Sequence, residues 1–383
     1  MSVRRANTIF IERRYNLDVR QTFSSARTAA LVVIALSALF LVALDGAAAA
    51  KPTSLQKRTP GLVESLAMDG SRVAYDVAGN YSSRTRCNEV YVWNVARNVT
   101  RRVSGRQTCG ADNSSTGAGV HELALAGGRV AWIVNQGGNS ESGDHLYVSS
   151  VAGPHERVLA SAFRTGSVDG ILTGNWLGGL VGSQSFLGVD HWATDTNGAV
   201  NSARLQRIGA RLGDLAQGAD TMLAQSTDGR LIAVLRSDGT VGLYSIRGVL
   251  LRSVTPHLAT DVAVRGDYVA VLTDDDTLVV YNSHSGRRLR SWRVAHKASS
   301  LDLSNGIATY AAPLPGGGYS RAVHVRWLKT GRDRVLVTTP PSLSGVQLEP
   351  AGLAYAFNRI APGRPGAVVF VPMNRIVRAL RAR

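Results

Sequence analysis

The chain of 383 residues is 44% hydrophobic and 18% charged, apolar enough to bury a core in one large all-β domain or two ordinary ones, so it is globular. Its 40 glycines and short runs of Val, Leu and Ala give a turn-rich β composition, and after residue 50 no long stretch keeps a helical period. The net charge of +16 favours anionic partners, but the arginines are scattered and no aromatic platform is interleaved with them, which argues against nucleic acid.

The first element in the chain is apolar. Ala29 to Leu44 runs without a charge, preceded by six arginines and followed by Asp45, Gly46 and four alanines. This is the pattern of an export signal and predicts one N-terminal hydrophobic helix. Small residues at Ala48 and Ala50 suit a signal peptidase and place a mature start at Lys51. Sixteen residues are short for a span, which needs about 20, but an uncleaved anchor is the alternative. Either way the body is expected outside the cytoplasm. Residues 1–50 are therefore read as signal peptide or signal anchor, 51–60 as a linker and 61–383 as the folded domain. Without residues 1–50 the chain keeps 37 basic and 24 acidic residues, a charge of +13, which suits a protein partner or an anionic envelope polymer.

Export gives the two cysteines a meaning. Cys87 and Cys109 are an even pair, 22 residues apart, in an oxidising compartment, so a disulfide is expected. In the chain-entropy picture it would stabilise by roughly 3 kcal/mol.

From residue 61 the chain repeats. A turn glycine followed by an apolar strand recurs as DGSRVAYDV (69–77), GGRVAWIV (127–134), GNWLGGLVG (174–182), DGRLIAVL (228–235), GDYVAVL (266–272), NGIATYAA (305–312) and AGLAYAFN (351–358). The glycines are 37 to 58 residues apart, the length of a four-stranded antiparallel unit with variable loops. A second marker is an aromatic closing the third strand of a unit: Trp93, Trp192, Tyr244, Tyr281 and Trp327, with Tyr147 and Phe370 less cleanly placed.

These units resemble blades of the β-propeller superfamily, and YNSHSGRRLRSW (281–292) is similar to the turn segment of quinoprotein-like and WD-repeat-like blades. TolB-like and other exported bacterial propellers are comparable. The resemblance implies an all-β, seven-bladed β-propeller of four-stranded antiparallel blades, with six blades as the alternative because the third repeat diverges.

In such a fold the long insertions, 78–88, 104–119, 135–144, 312–321 and 358–366, share one face, and contacts with a partner are expected there. Asp274, Asp275 and Asp276 fall between a second and a third strand. With His284 nearby they raise the question of a metal site, but they lack the spacing of an EF-hand and read as a turn. The eight histidines form no His-x-x-x-His pair, and no nucleophile elbow, phosphate loop or dinucleotide fingerprint occurs. No catalytic residue, metal ligand or cofactor is predicted. Glu64, Glu122 and Asp261, near first strands that should line the channel, are the candidate channel residues. The expected function is a monomeric, non-catalytic binding or scaffolding module; the alternative is a quinoprotein-like or lyase-like enzyme with a cofactor or metal in the channel.

Overall fold

The computed structural model describes residues 54–78, 88–106, 108, 118–137, 141–166, 172–218, 222–314, 320–339, 342–358 and 366–382. All belong to one compact unit, Thr53–Arg383. Residues 1–53, with the expected hydrophobic helix, and both Cys87 and Cys109 lie outside the described residues.

The fold is built from antiparallel quartets. Strand β1 (Leu55–Arg58) comes first; the first quartet is β2 (Leu66–Asp69), β3 (Arg72–Val77), β4 (Glu89–Asn94) and β5 (Val99–Arg102). An eight-stranded sheet follows: β6 (Ala118–Ala126), β7 (Arg129–Gly137), β8 (Glu141–Ser150) and β9 (Arg157–Gly166), then β10 (Leu172–Ser183), β11 (Phe186–Thr194), β12 (Val200–Ile208) and β13 (Leu212–Gly218). Its halves join through a short pairing of β9 with β10, Gly166 opposite Leu172. Next come β14 (Met222–Thr227), β15 (Leu231–Arg236), β16 (Val241–Ser245) and β17 (Leu250–Val254), and then β18 (Ala259–Arg265), β19 (Tyr268–Thr273), β20 (Thr277–Asn282) and β21 (Arg288–Arg293). The sheet β22 (Ser299–Ser304), β23 (Ile307–Pro313), β24 (Arg321–Trp327) and β25 (Asp333–Thr339) precedes β26 (Leu343–Glu349), β27 (Gly352–Phe357) and β28 (Ala367–Pro372). The chain ends in helix α1 (Met373–Arg381), which buries Ile376 and Leu380.

The quartets close into a ring. First strands β2, β6, β10, β14, β18, β22 and β26 each lie beside the next, and β26 lies beside β2. The last quartet is completed by β1, which pairs with β28 from Leu55 opposite Phe370 to Arg58 opposite Ala367. Asn358 fastens the closure, accepting from the Val63 amide at 2.8 Å and donating to the Val63 carbonyl at 2.7 Å, both buried. Part of the stretch expected as a linker is thus the closing strand, and the compact unit seals its own ring.

The core lies between neighbouring sheets. Trp93 packs with Val368 and Phe370 across the closure, and Trp132 with Val90 and Val92 across the next junction. Middle strands are covered on both faces, so they read as unbroken apolar runs; Val269 to Leu272 in β19 are each at most 1% exposed. Fourth strands form the rim, and the most charged of them, β21, RLRSWR, is exposed at nearly every position. Charge on an open strand edge discourages edge-to-edge pairing with another chain.

The third repeat departs from the glycine rule. Residues 174–182 lie inside the first strand, β10, and the reversal into the second strand falls at Gln184 and Ser185. Gln184 adopts the left-handed conformation, φ 55°, that glycine supplies in the first, second and fifth quartets at Gly70, Gly127 and Gly266. Its amide donates to Asp69 Oδ1 at 2.9 Å, which holds the turn. Trp192 consequently sits on the second strand, β11, rather than the third.

Candidate functional site

Apart from the short pairing of β10 with β9, a first strand has one edge with no partner in its own sheet, so its amides there need other acceptors. The channel-side polar residues provide them across the junctions. Glu122 Oε2 on β6 accepts from the Leu180 amide of β10 at 2.7 Å. Ser226 Oγ on β14 accepts from Val264 of β18 at 3.0 Å. Asp261 Oδ2 on β18 accepts from Leu301 of β22 at 2.8 Å, and Asp302 Oδ2 on β22 from Leu348 of β26 at 2.6 Å. The pairing register shifts immediately before Glu122, Ser226, Asp261 and Asp302, so a bulge turns each of these side chains toward its neighbour.

Of the three residues expected near the channel, Glu122 and Asp261 therefore serve as backbone acceptors. Glu64 stands just before β2 with an exposed side chain, and partial burial of its carboxyl raises its pKa. Its amide and that of Ser65 donate to Asp76 Oδ1 at 2.8 and 2.7 Å. Asp76 is fully buried on β3, with Oδ2 unpartnered, and desolvation pushes its pKa up to about 8. Desolvation likewise raises Asp261 and Asp302 to about 6. The signal that would have found Asp76 and Asp302 is a carboxylate inside an apolar strand, as in VAYDV and SLDLS.

The channel itself is narrow. Residues of the first strands, among them Met68, Leu125, Ser226, Asp302 and Glu349, line a cavity of about 70 Å³. That is room for no more than a few waters. Arg265 crosses its end, ion-paired with Glu349 and donating to Ser183 Oγ at 3.2 Å. Burial, only partly offset by Arg265, pushes Glu349 up to about 7.

Asp274 to Asp276 form the β19–β20 turn, Asp276 at φ 60°. Asp274 pairs with His257 at 3.2 Å and Asp276 with His296 at 2.7 Å, both histidines coming from connections between quartets. His284 belongs to the β20–β21 turn on the opposite face, 3.5 Å from Asp267. No group of three His, Cys, Asp or Glu placed to hold a metal occurs among the described residues.

Two polar clusters were not apparent in the sequence. On the outer strands of the sixth quartet, Tyr310 OH and His324 Nδ1 each lie 3.0 Å from Asp333 Oδ2, and Arg326 lies 3.3 Å from it. Burial works to raise Asp333, but the His324 hydrogen bond and the Arg326 charge hold it below the usual carboxylate range. His324 stacks on Tyr310 at 4.8 Å, so the group is a staple across three strands.

The second cluster stands on the loop side, where β8 to β11 are nine to twelve residues long. Arg164, 6% exposed, pairs with Asp144, 2% exposed, at 2.5 Å and stacks on Trp176 at 3.8 Å; Trp176 stacks on Trp192 at 6.1 Å. Asp144 also accepts from Asn135 at 2.7 Å and from the Leu177 amide at 3.2 Å. On the other side of these strands Phe163 is 61% exposed and meets His145 edge-on at 5.6 Å. The result is a stiff shelf with an exposed aromatic, a combination suited to contact with another molecule.

No family model matches the chain, and no curated protein matches it. Solved structures do. A chain in the crystal structure of the mitotic checkpoint complex is 15% identical with a TM-score of 0.50, over 83% of this chain and 94% of that one. The fold is β-propeller-like. The computationally designed Ika8 protein is also similar, at 15% identity and a TM-score of 0.45, over 82% of this chain and 98% of that one. In all, 1031 chains of known structure match, and an architecture used so widely does not select a function.

Proposed function

We propose that the chain is an exported, seven-bladed β-propeller that acts as a non-catalytic binding or scaffolding module through its loop face. Seven first strands following one another around the ring support the blade count. The apolar run Ala29 to Leu44 and its basic flank support export, cleaved or anchored, and with it a Cys87–Cys109 bridge.

The observation that carries the non-catalytic role is the state of the channel carboxylates. Glu122, Asp261 and Asp302 accept hydrogen bonds from the next first strand of the ring, and the cavity between the first strands, about 70 Å³, is far smaller than the 300–1,000 Å³ of a typical ligand pocket. The loop face has the long insertions and the Phe163–His145 shelf. A chain of like fold in a mitotic checkpoint complex agrees with a protein-binding role.

The test is native mass spectrometry of the exported protein together with photocrosslinking from position 163. The expected mass is that of the polypeptide less two hydrogens, with crosslinks from position 163 to a protein or an envelope polymer. A stoichiometric quinone or metal in the channel would refute the reading.

A further inference from the structure

Among the described residues, the turns of the two faces differ in charge. One face has the reversals from first to second and from third to fourth strands, all of them short and all among the described residues. Arg97, Arg211, Arg230, Arg247, Arg287 and Lys329 stand exposed in these turns. Beside them Arg129 has its pKa lowered by burial and by the charges of Arg207 and Arg157.

Carboxylates on this face are mostly engaged. Asp69 accepts from the Gly127 and Gln184 amides at 2.6 and 2.9 Å, Asp228 accepts from Arg230, Leu231 and Gly266, and Glu349 pairs with Arg265. Asp267 is the one exposed carboxylate in the described turns here. The described turns of the opposite face have the reverse balance, with Asp195, Asp238, Asp274, Asp275 and Asp276 against Arg106 and Lys297, although several of these carboxylates also accept local hydrogen bonds.

Two further features separate a bilayer from a dissolved polyanion. Val249, Leu250 and Leu251, beside Arg247, are 58%, 45% and 48% exposed, an apolar edge next to a cationic turn. The chain also enters the ring on this side, because Leu55 pairs with Phe370 near the end of β28 that turns into α1. Ten residues separate Leu44, the end of the apolar run, from Leu55, a reach of at most about 36 Å.

We propose that the turn face docks on an anionic lipid bilayer, with the arginines at headgroup phosphates, Val249 to Leu251 at the acyl boundary, and the loop face directed away from the membrane. Short turns keep these cationic groups close to the strand ends, and basic side chains gain most within a Debye length of anionic lipid. This assignment is independent of what the loop face binds.

The test uses residues 51–383, which close their own ring, in flotation with phosphatidylcholine vesicles containing or lacking phosphatidylglycerol. Binding is expected only with the anionic lipid. Arg230→Glu with Arg287→Glu should weaken it by about tenfold or more, whereas the mid-strand pair Arg204→Glu with Arg290→Glu, of equal net charge, should change it less than about threefold. Val249→Ser should weaken vesicle binding while leaving binding to soluble polyphosphate unchanged. Equal losses in the two charge pairs, no dependence on anionic lipid, or an unaffected Val249→Ser variant would each overturn the assignment, provided the variants melt like the parent protein.

Discussion

Asp302→Ala removes one acceptor from two amides, those of Leu303 at 2.7 Å and Leu348 at 2.6 Å. An amide left buried without a partner costs about 1–3 kcal/mol. Releasing a carboxyl whose pKa burial has raised to about 6 returns part of that. The expected net loss is about 2–4 kcal/mol. Asp302→Asn keeps one carbonyl oxygen but sets an amide donor against the other N–H, so about half that loss is expected. Urea unfolding followed by tryptophan fluorescence measures both variants, the midpoint falling in the order wild type, Asn, Ala with the slope unchanged. An Asp302→Ala variant within ~0.5 kcal/mol of wild type would refute the junction role, since surface changes fall in that range.

The same carboxyls predict a pH dependence. Asp76, at about 8, Asp261 and Asp302, at about 6, and Glu349, at about 7, all titrate higher in the folded chain than in the unfolded one. The folded state then binds more protons between about pH 4 and 8, so the stability these groups contribute is present at low pH and lost as pH rises through that window. The melting temperature should fall between pH 5 and 8.5, less steeply in Asp76→Asn; a rise over that range would contradict the assignment. Removing β1 tests ring closure. A chain beginning at Thr59 lacks the four paired residues that cover the edge of β28. At about 1 kcal/mol for each ladder hydrogen bond, a loss of about 3–4 kcal/mol against the chain from Lys51 is expected. An unchanged urea midpoint would show that the clasp is dispensable.

Much of the architecture was legible because sheets buried on both faces leave a local record. Continuous apolar runs such as Val269 to Leu272, broken by Gly or Asp, mark middle strands and their turns without reference to anything distant. The rule failed at Gln184, where a residue other than glycine takes the left-handed position and the Asp69 carboxylate, 115 residues away, holds its amide. It also missed β1, because four residues ahead of the repeats carry no periodicity and become a strand only against β28. For Glu122 and Asp261, sequence placed the residues near the channel but not their partners, the amides of Leu180 and Leu301 on the next first strand of the ring.

By itself the sequence determined that this is an all-β chain of repeated antiparallel units, that Asp274 to Asp276 punctuate two strands, and that basic residues outnumber acidic ones. Hydrophobic period, turn chemistry and composition are properties of neighbouring residues, so they survive without coordinates. Tertiary structure decided which carboxylates are consumed by backbone amides, which histidines meet which aspartates, how β1 closes the ring, and which charges share the described turns of one face. Each of those depends on residues tens to hundreds of positions apart, and only the closed ring brings them within hydrogen-bond or Coulomb range.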